Sequence, residues 1–437
     1  MRGGLWFGLY VGLALAPLVL AASSRGIDPT RGFGLEFAVG FGFVAYALMA
    51  LEFALVSRFH AASEPFGMDA LLLFHKKMGL TALGFVGAHA IYFVLRGQDA
   101  ALLDPFSGPL ATRTGALALW AGVLLVLTSV ARRRIRLSYG LWQLLHRVLA
   151  FLLMGAMLWH VLAVGHHASV PLVRACLIAY AGLFLALLLR YRLVDPLLTW
   201  RRPWAVAASR AEGGDTVTLV LRPLGHDGLS FEPGQFVWLG TGRTPFSAEQ
   251  HPITIASSAV PAPDRAIELA IKALGDWSRT TVPALRAGAR VWIDGPFGAF
   301  SLDRAAAQGF VLVAGGIGIT PMRSMLLTMR DRGDRRPVLL IYAASHRGRA
   351  VFAAQLEALT RELALRVVFV FEAAPADWPG ERGRITVELL RRHLPADLSR
   401  QYFFVCGPGP MMDQLERQLV ELGVPPERVQ TERFDMV

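Results

Sequence analysis

Residues 75–89 read HKKMGLTALGFVGAH, and residues 146–160 read HRVLAFLLMGAMLWH. Each stretch begins and ends on a histidine, and both are otherwise apolar enough to lie inside a membrane helix. An ionisable side chain within a bilayer is costly and usually marks function. Fourteen residues advance an α-helix by about 21 Å and return it to within about 40° of the same face. Each stretch therefore presents two imidazoles on one stripe, one near each edge of a hydrocarbon core about 30 Å thick.

Six apolar spans surround and include these stretches: 5–22, 35–56, 71–95, 115–131, 141–164 and 171–190. Most approach the roughly 20 residues a helix needs to cross a bilayer. The first, ending LVLAAS at 18–23, also has the form of a signal peptide. Its length and its direct lead into a second span favour a retained helix. The chain is 437 residues long, 54% hydrophobic, with a net charge of +11. That charge does not indicate nucleic acid: 18 Lys and Arg stand against 8 Asp and Glu in residues 1–202, and 26 against 25 thereafter. The excess lies in the loops of the apolar half, where basic residues set topology. ARRRIRL at 131–137, the 190–204 segment, Lys76 and Lys77 fall on one side with the N-terminus, giving 13 basic residues there and 5 on the other. Both termini and everything after residue 200 are expected to be cytoplasmic. Two cysteines, Cys176 and Cys406, imply neither a disulfide framework nor a cysteine-ligated iron–sulfur cluster.

The third and fifth spans run in the same direction, so His75 and His146 share one depth and His89 and His160 the other. Four imidazoles at two depths suit axial ligation of two stacked haems. Gly79, Gly84, Gly87 and Gly155 leave room for flat macrocycles, and Lys76, Lys77 and Arg147 suit the propionates of the inner one. The competing reading is a set of satisfied bundle histidines or proton-relay groups. His166 and His167, in a short outer loop, read as solvated rather than metal-bound.

Beyond a linker at 191–204 the pattern changes to short strands. DTVTLVLRP, QFVWLG, HPITIASS, AIELAIKAL and RVWIDGPF suggest a small antiparallel barrel. From residue 308 strands alternate with helical stretches, as in a parallel α/β sheet. In VLVAGGIGITPMRSML a buried strand runs into Gly315, Gly316 and Gly318, and Thr320-Pro321 opens a helix. Glycines admit a pyrophosphate to the backbone, and a helix N-terminus attracts it. The stretch does not match GxGxxG, and a tight structural turn is the alternative.

Taken in order, the two paired histidines, PGQF at 233–236, HPIT at 251–254, IKALGDWS at 271–278, DGPFG at 294–298, AGGIGITP at 314–321, CGPGPMM at 406–412 and ERF at 432–434 resemble the ferric reductase/NADPH oxidase superfamily. The resemblance covers nearly the whole chain. It implies a multidomain membrane protein: an all-α six-helix transmembrane di-haem bundle at 1–200, an antiparallel β-barrel FAD domain at 201–304, and an α/β parallel-sheet NAD(P)H domain at 305–437. It further implies that His251, Pro252, Ile253 and Thr254 hold the flavin ring and ribityl chain, and that Ile271, Lys272, Trp277 and Ser278 line the FAD diphosphate. Gly315, Gly316, Gly318, Thr320 and Pro321 would hold the nicotinamide cofactor's pyrophosphate. Cys406, Gly407 and Pro408 would border the nicotinamide, and Phe434 would stack on the isoalloxazine and move aside for hydride transfer. Without the resemblance, Trp277 and Phe434 read as core aromatics.

These parts imply an NAD(P)H-dependent transmembrane oxidoreductase. Electrons would pass from cytosolic NAD(P)H through FAD, then His75/His146, then His89/His160, to a one-electron acceptor such as a ferric chelate or O2. The alternatives are a redox subunit feeding a quinone or partner protein, and a transporter or scaffold with a decayed reductase module. IYAASHRGRA at 341–350 puts Ser345, Arg347 and Arg349 where an adenosine ribose would lie, with no acidic residue in the stretch. Hydroxyl and guanidinium groups favour the 2′-phosphate of NADPH over NADH, although relatives often have arginine where Ser345 stands, and a solvated basic turn is the alternative. Animal oxidases of the superfamily often carry a histidine one turn beyond the outer ligand; here that residue is Phe93. Arg96, Arg25 or Arg31 could attract anionic acceptors, or simply be solvated loop arginines.

Overall fold

The computed structural model describes residues 2–24, 32–56, 68–97, 99–132, 134–247 and 249–433. Arg25, Arg31 and Phe434 lie outside the described residues. The chain divides into two compact units, the second beginning at Pro196 apart from Met68 and Asp69.

The first unit holds α1 (Arg2–Ser23), α2 (Phe33–Val56), α3 (Met68–Gly97), α4 (Leu110–Val130), α5 (Tyr139–Val164) and α6 (Pro171–Leu189). All six are long and apolar enough to cross a membrane. Their outward faces carry exposed Leu5, Phe7, Trp120, Phe151 and Trp159, as lipid-facing surfaces do. Small residues let the backbones approach: Ala45, Ala47 and Ala50 of α2 are fully buried, and the Tyr46 hydroxyl donates to the Leu177 carbonyl at 2.7 Å. Helix α4 starts five residues before the expected 115, because Pro109 caps its first turn and LATRT joins it. Helix α5 stops at Gly165, which takes the left-handed conformation at φ 75°.

Residues 191–204, read as a linker, are instead helical as far as Trp200. A π-helical turn, Arg190–Val194, leads into α7 (Asp195–Trp200). Pro196 lacks the N–H that a straight α-ladder would use, and the wider turn absorbs the break.

The second unit begins with a six-stranded antiparallel sheet: β1 (Trp204–Glu212), β2 (Thr216–Pro223), β3 (Phe236–Gly240), β4 (Gln250–Thr254), β5 (Ile267–Lys272) and β6 (Arg290–Phe297), with α8 (Asp276–Ala284) between the last two. The order is β4-β3-β6-β1-β2-β5. An antiparallel bridge from Ile255 to Leu269 joins the two end strands and closes the barrel. Trp204, Leu219, Leu221, Val237, Leu239, Ile255 and Leu269 fill it. Strand β1 is absent from the sequence reading, since WAVAASRAE is too small and polar to stand out.

A parallel sheet follows, built from β7 (Gly309–Gly315), β8 (Val338–Ala344), β9 (Leu365–Phe371), β10 (Glu381–Arg382), β11 (Gln401–Gly407) and β12 (Val429–Arg433). Its helices are α9 (Ile319–Arg332), α10 (Ala353–Leu359), α11 (Val387–His393) and α12 (Gly409–Glu421). The order β10-β9-β8-β7-β11-β12 reverses between β7 and β11, so the ligand crevice of such a sheet lies at the C-terminal ends of those two strands.

Candidate functional site

In the first unit four imidazoles stand in two pairs. The rings of His75 and His146 have centroids 6.3 Å apart, and those of His89 and His160 are 6.2 Å apart. Two imidazole nitrogens, each about 2 Å from one shared metal atom, put their ring centroids roughly 6 Å apart. Both pairs therefore have the separation that axial ligation requires.

Each Nδ1 already faces an oxygen. His89 Nδ1 is 2.9 Å from the Ala38 carbonyl, and His160 Nδ1 is 2.7 Å from the Ala111 carbonyl. A carbonyl can only accept, so both rings carry their proton on Nδ1 and leave the Nε2 lone pair bare. His146 Nδ1 lies 3.2 Å from the Ser129 hydroxyl, which itself donates to the Leu125 carbonyl and accepts from Trp142 Nε1. His75 Nδ1 lies 2.5 Å from the Glu52 carboxylate. The same nitrogen is thus left available on all four rings, the arrangement that orients metal-bound histidine. The chain between them leaves room: a Cβ on Gly79, Gly84, Gly87 or Gly155 would meet no heavy atom within 4 Å. Helix α3 is also the least enclosed of the six spans. The donor set and the space fit two haems.

The outer loop departs from the sequence reading. His167 is buried rather than solvated, with Nε2 2.9 Å from the Glu36 carboxylate and its ring edge-on to Phe43. Phe93 packs on His89 with ring centroids 5.0 Å apart, and Arg96 donates to the Tyr92 hydroxyl at 3.2 Å.

In the second unit, β7 delivers Gly315 to a tight 3-10 turn, Gly316–Gly318, that opens α9. Gly316 sits at φ 55°, where a side chain is strained. Gly318 is pressed against the Cys406 carbonyl, so any Cβ there would collide with it. The crevice thus gathers Gly315, Gly316, Gly318, Thr320 and Pro321 beside Cys406, Gly407 and Pro408. The free N–H groups at the start of α9 give it the character of an anion site. Cys406 is fully buried.

His251, Pro252, Ile253 and Thr254 lie on and at the end of β4. The His251 ring stacks on Trp277 at 3.8 Å, and Trp277 Nε1 donates to the Thr241 hydroxyl at 3.0 Å. Burial pushes the His251 imidazole below its ordinary range, outweighing the pull of Glu249, so the ring is neutral at pH 7. The buried Thr254 hydroxyl has no hydrogen-bond partner among the described residues, so it is free to meet a bound group. Ile271 and Lys272 end β5, and Lys272 Nζ lies 3.9 Å from where a Cβ of Gly316 would be, so this lysine reaches the glycine turn. The Ser278 hydroxyl is engaged locally, accepting from the Leu274 and Gly275 N–H groups at the start of α8.

Ser345 follows β8, and Arg347 and Arg349 sit in the next turn. The acidic residues missing from that stretch arrive through space: Arg347 meets Glu357 at 3.0 Å and Arg349 meets Asp215 at 3.5 Å.

The sequence reading missed the clasp that holds these motifs together. Arg323 of α9 is buried, donates to the Ala256 carbonyl at 2.7 Å and pairs with Glu268 at 2.7 Å. Ser324 donates to the Ser257 carbonyl at 2.7 Å, and the Thr328 hydroxyl accepts from Ala259 N–H at 2.8 Å. Arg323, Ser324 and Thr328 within the buried stretch 319–329 of α9 were the available signal.

Three family models match in sequence order: ferric reductase like transmembrane component over residues 41–157, FAD-binding domain over 204–301, and oxidoreductase NAD-binding domain over 312–417. The chain is 32% identical over 249 residues to a flavohemoprotein of Deinococcus radiodurans, covering 54% of this chain and 60% of that protein. It is 32% identical over 212 residues to the xylene/toluene monooxygenase electron transfer component XylA of Pseudomonas putida, covering 47% and 58%. The chain thus spans about 60% of the length of these curated relatives. The FAD/NAD-binding domain of a nitric oxide dioxygenase from Vibrio cholerae superposes with a TM-score of 0.47 at 21% identity, covering 53% of this chain and 98% of that one.

Proposed function

We propose that this integral membrane protein, an NAD(P)H-dependent oxidoreductase of the ferric reductase/NADPH oxidase superfamily, moves electrons through FAD and two b-type haems to a small one-electron acceptor on the far face of the bilayer. The observation that carries the haem reading is the uniform state of the four imidazoles. Two facing pairs each have a metal-compatible separation, and every Nδ1 lies within 3.2 Å of an oxygen.

When bound, FAD converts the hydride of a nicotinamide into single electrons, and paired haems carry them across the membrane. The chain's own part is to bind and orient. The glycine turn and the start of α9 take the pyrophosphate, while the buried Cys406 end of β11 closes the crevice on the nicotinamide side. Neutral His251 and the Thr254 hydroxyl serve the flavin. His75 and His146 define one relay depth, and His89 and His160 the other. The excess of basic residues, 13 to 5, supports a cytoplasmic reductase module and an outward direction.

One NADPH yields NADP+, one proton and two electrons, which reduce two ferric chelates or two O2. His75, His146, His89 and His160 would hold the two haems and leave an acceptor no open position on the metal, and Phe93 would offer it no proton donor. We therefore favour ferric chelates, with superoxide formed when O2 is the only acceptor. NADPH is favoured over NADH by Ser345 and Arg347.

The test is NADPH oxidation by detergent-purified protein, in air and then anaerobically with ferric citrate. Sustained anaerobic turnover with the chelate is expected. A rate that collapses without O2 and is not restored would indicate a dedicated oxidase. Turnover only on adding a quinone would indicate a redox subunit.

A further inference from the structure

The two histidine pairs differ in one respect. His89, His160 and His146 present Nδ1 to neutral oxygens: the carbonyls of Ala38 and Ala111 and the hydroxyl of Ser129. His75 alone presents it to a carboxylate, that of Glu52 on α2, at 2.5 Å. The Glu52 side chain is only 7% exposed, inside a span. A second group, the Tyr10 hydroxyl of α1, donates to its other oxygen at 3.4 Å. Three spans therefore converge on one buried acid. An acid at such depth is expensive and persists where it has a task.

The chemistry of that contact is directional. A carboxylate accepting from Nδ1–H pulls the proton toward itself and makes the opposite nitrogen a stronger electron donor. A stronger axial donor stabilises the ferric state and lowers the reduction potential. Neutral acceptors do this far less.

We propose that Glu52 is a positioning and tuning residue that sets the His75/His146 site at a lower reduction potential than the His89/His160 site, so that electrons run downhill toward the latter. This inference rests on the haem reading above and adds to it a residue that sets the relative potentials of the two sites.

The test is an optical redox titration of the purified holoprotein with both haem bands followed. Wild type should titrate in two steps. His89→Leu, which leaves one complete pair, identifies the step belonging to His75/His146 as the lower one. Glu52→Gln keeps a carbonyl acceptor for Nδ1 and removes the charge, so a purely structural role would leave the potential unmoved. It should instead raise the lower step, in wild type and in His89→Leu, enough to change the electron distribution between the sites about tenfold, or about 59 mV for one electron. The upper step should hold. Should Glu52→Gln load haem poorly, Tyr10→Phe reads the same lever. Removing the hydroxyl's donation strengthens the carboxylate as an acceptor and should lower that step.

Full haem loading with the lower step unmoved, or movement of the upper step instead, overturns the proposal alone. Poor loading of Glu52→Gln with no shift in Tyr10→Phe overturns it equally. Wild-type protein with no haem band overturns the haem reading and this inference together.

Discussion

Gly115 and His160 are packed so closely that a Cβ on the glycine would lie 2.7 Å from Nδ1 and 2.9 Å from Cε1 of the imidazole. The same ring is held by the Ala111 carbonyl one turn earlier on α4. The helix thus both grips the ring and leaves it space.

Gly115→Ala should therefore push the His160 ring off its carbonyl and cost the protein one of the two proposed haems. Gly42 faces His89 at a looser 3.1 Å, so Gly42→Ala should be milder. A pyridine haemochrome count against flavin measures this. Full haem content in Gly115→Ala would contradict the assignment of His160.

Gly318→Ala places a methyl against the Cys406 carbonyl, and relieving such overpacking costs about 1–3 kcal/mol. Because the turn is also the proposed pyrophosphate seat, flavin reduction by NADPH should slow by about two orders of magnitude while FAD stays bound. Stopped-flow flavin bleaching tests it. An unchanged rate would remove the glycine turn from the nucleotide site.

The Arg323–Glu268 pair joins α9 to the barrel. Breaking a buried pair by removing one partner costs about 3–5 kcal/mol, so Arg323→Met should release FAD at a markedly lower temperature. Burial alone would raise the Glu268 carboxyl, but Arg323 and Arg210 outweigh it and hold the group below its ordinary range. A lowered folded-state pKa gives stability that is complete above the unfolded value, about 4.3, and lost as pH falls through the folded one. The wild-type advantage over Arg323→Met should accordingly shrink below about pH 4. Thermal FAD release from pH 3 to 7 would show it, and a pH-independent difference would contradict it.

Arg347→Ala should raise the KM for NADPH about tenfold and leave that for NADH nearly unchanged, since one charge-assisted contact is worth roughly 1.5–3 kcal/mol. Equal effects on both donors would mean that Arg347 serves only its partner Glu357.

Much of this was legible along the chain. Spacing within a helix determines which side chains share a stripe, so the two-by-two grouping of His75, His89, His146 and His160 could be read from two sequence segments. Glycine, proline and β-branched patterns likewise announced the barrel and the parallel sheet. What lay hidden is what each side chain meets across space. The carbonyls of Ala38 and Ala111 have no side-chain signature. The partner of His167 is Glu36, 131 residues away on another helix. The acids that meet Arg347 and Arg349 likewise come from outside their turn. Glu52 is an acid within an apolar span, and its contact with His75 depends on α2 lying beside α3.

The most direct measurement is an anaerobic addition of NADPH to the purified protein, reading flavin and haem bands together. The account predicts two haems per FAD, both low-spin, both reduced by NADPH and reoxidised by ferric citrate. It also predicts that His75→Leu keeps flavin reduction but leaves the remaining haem oxidised. A protein in which NADPH bleaches the flavin while wild-type haem bands stay oxidised, or in which those bands survive replacement of all four histidines, would contradict it.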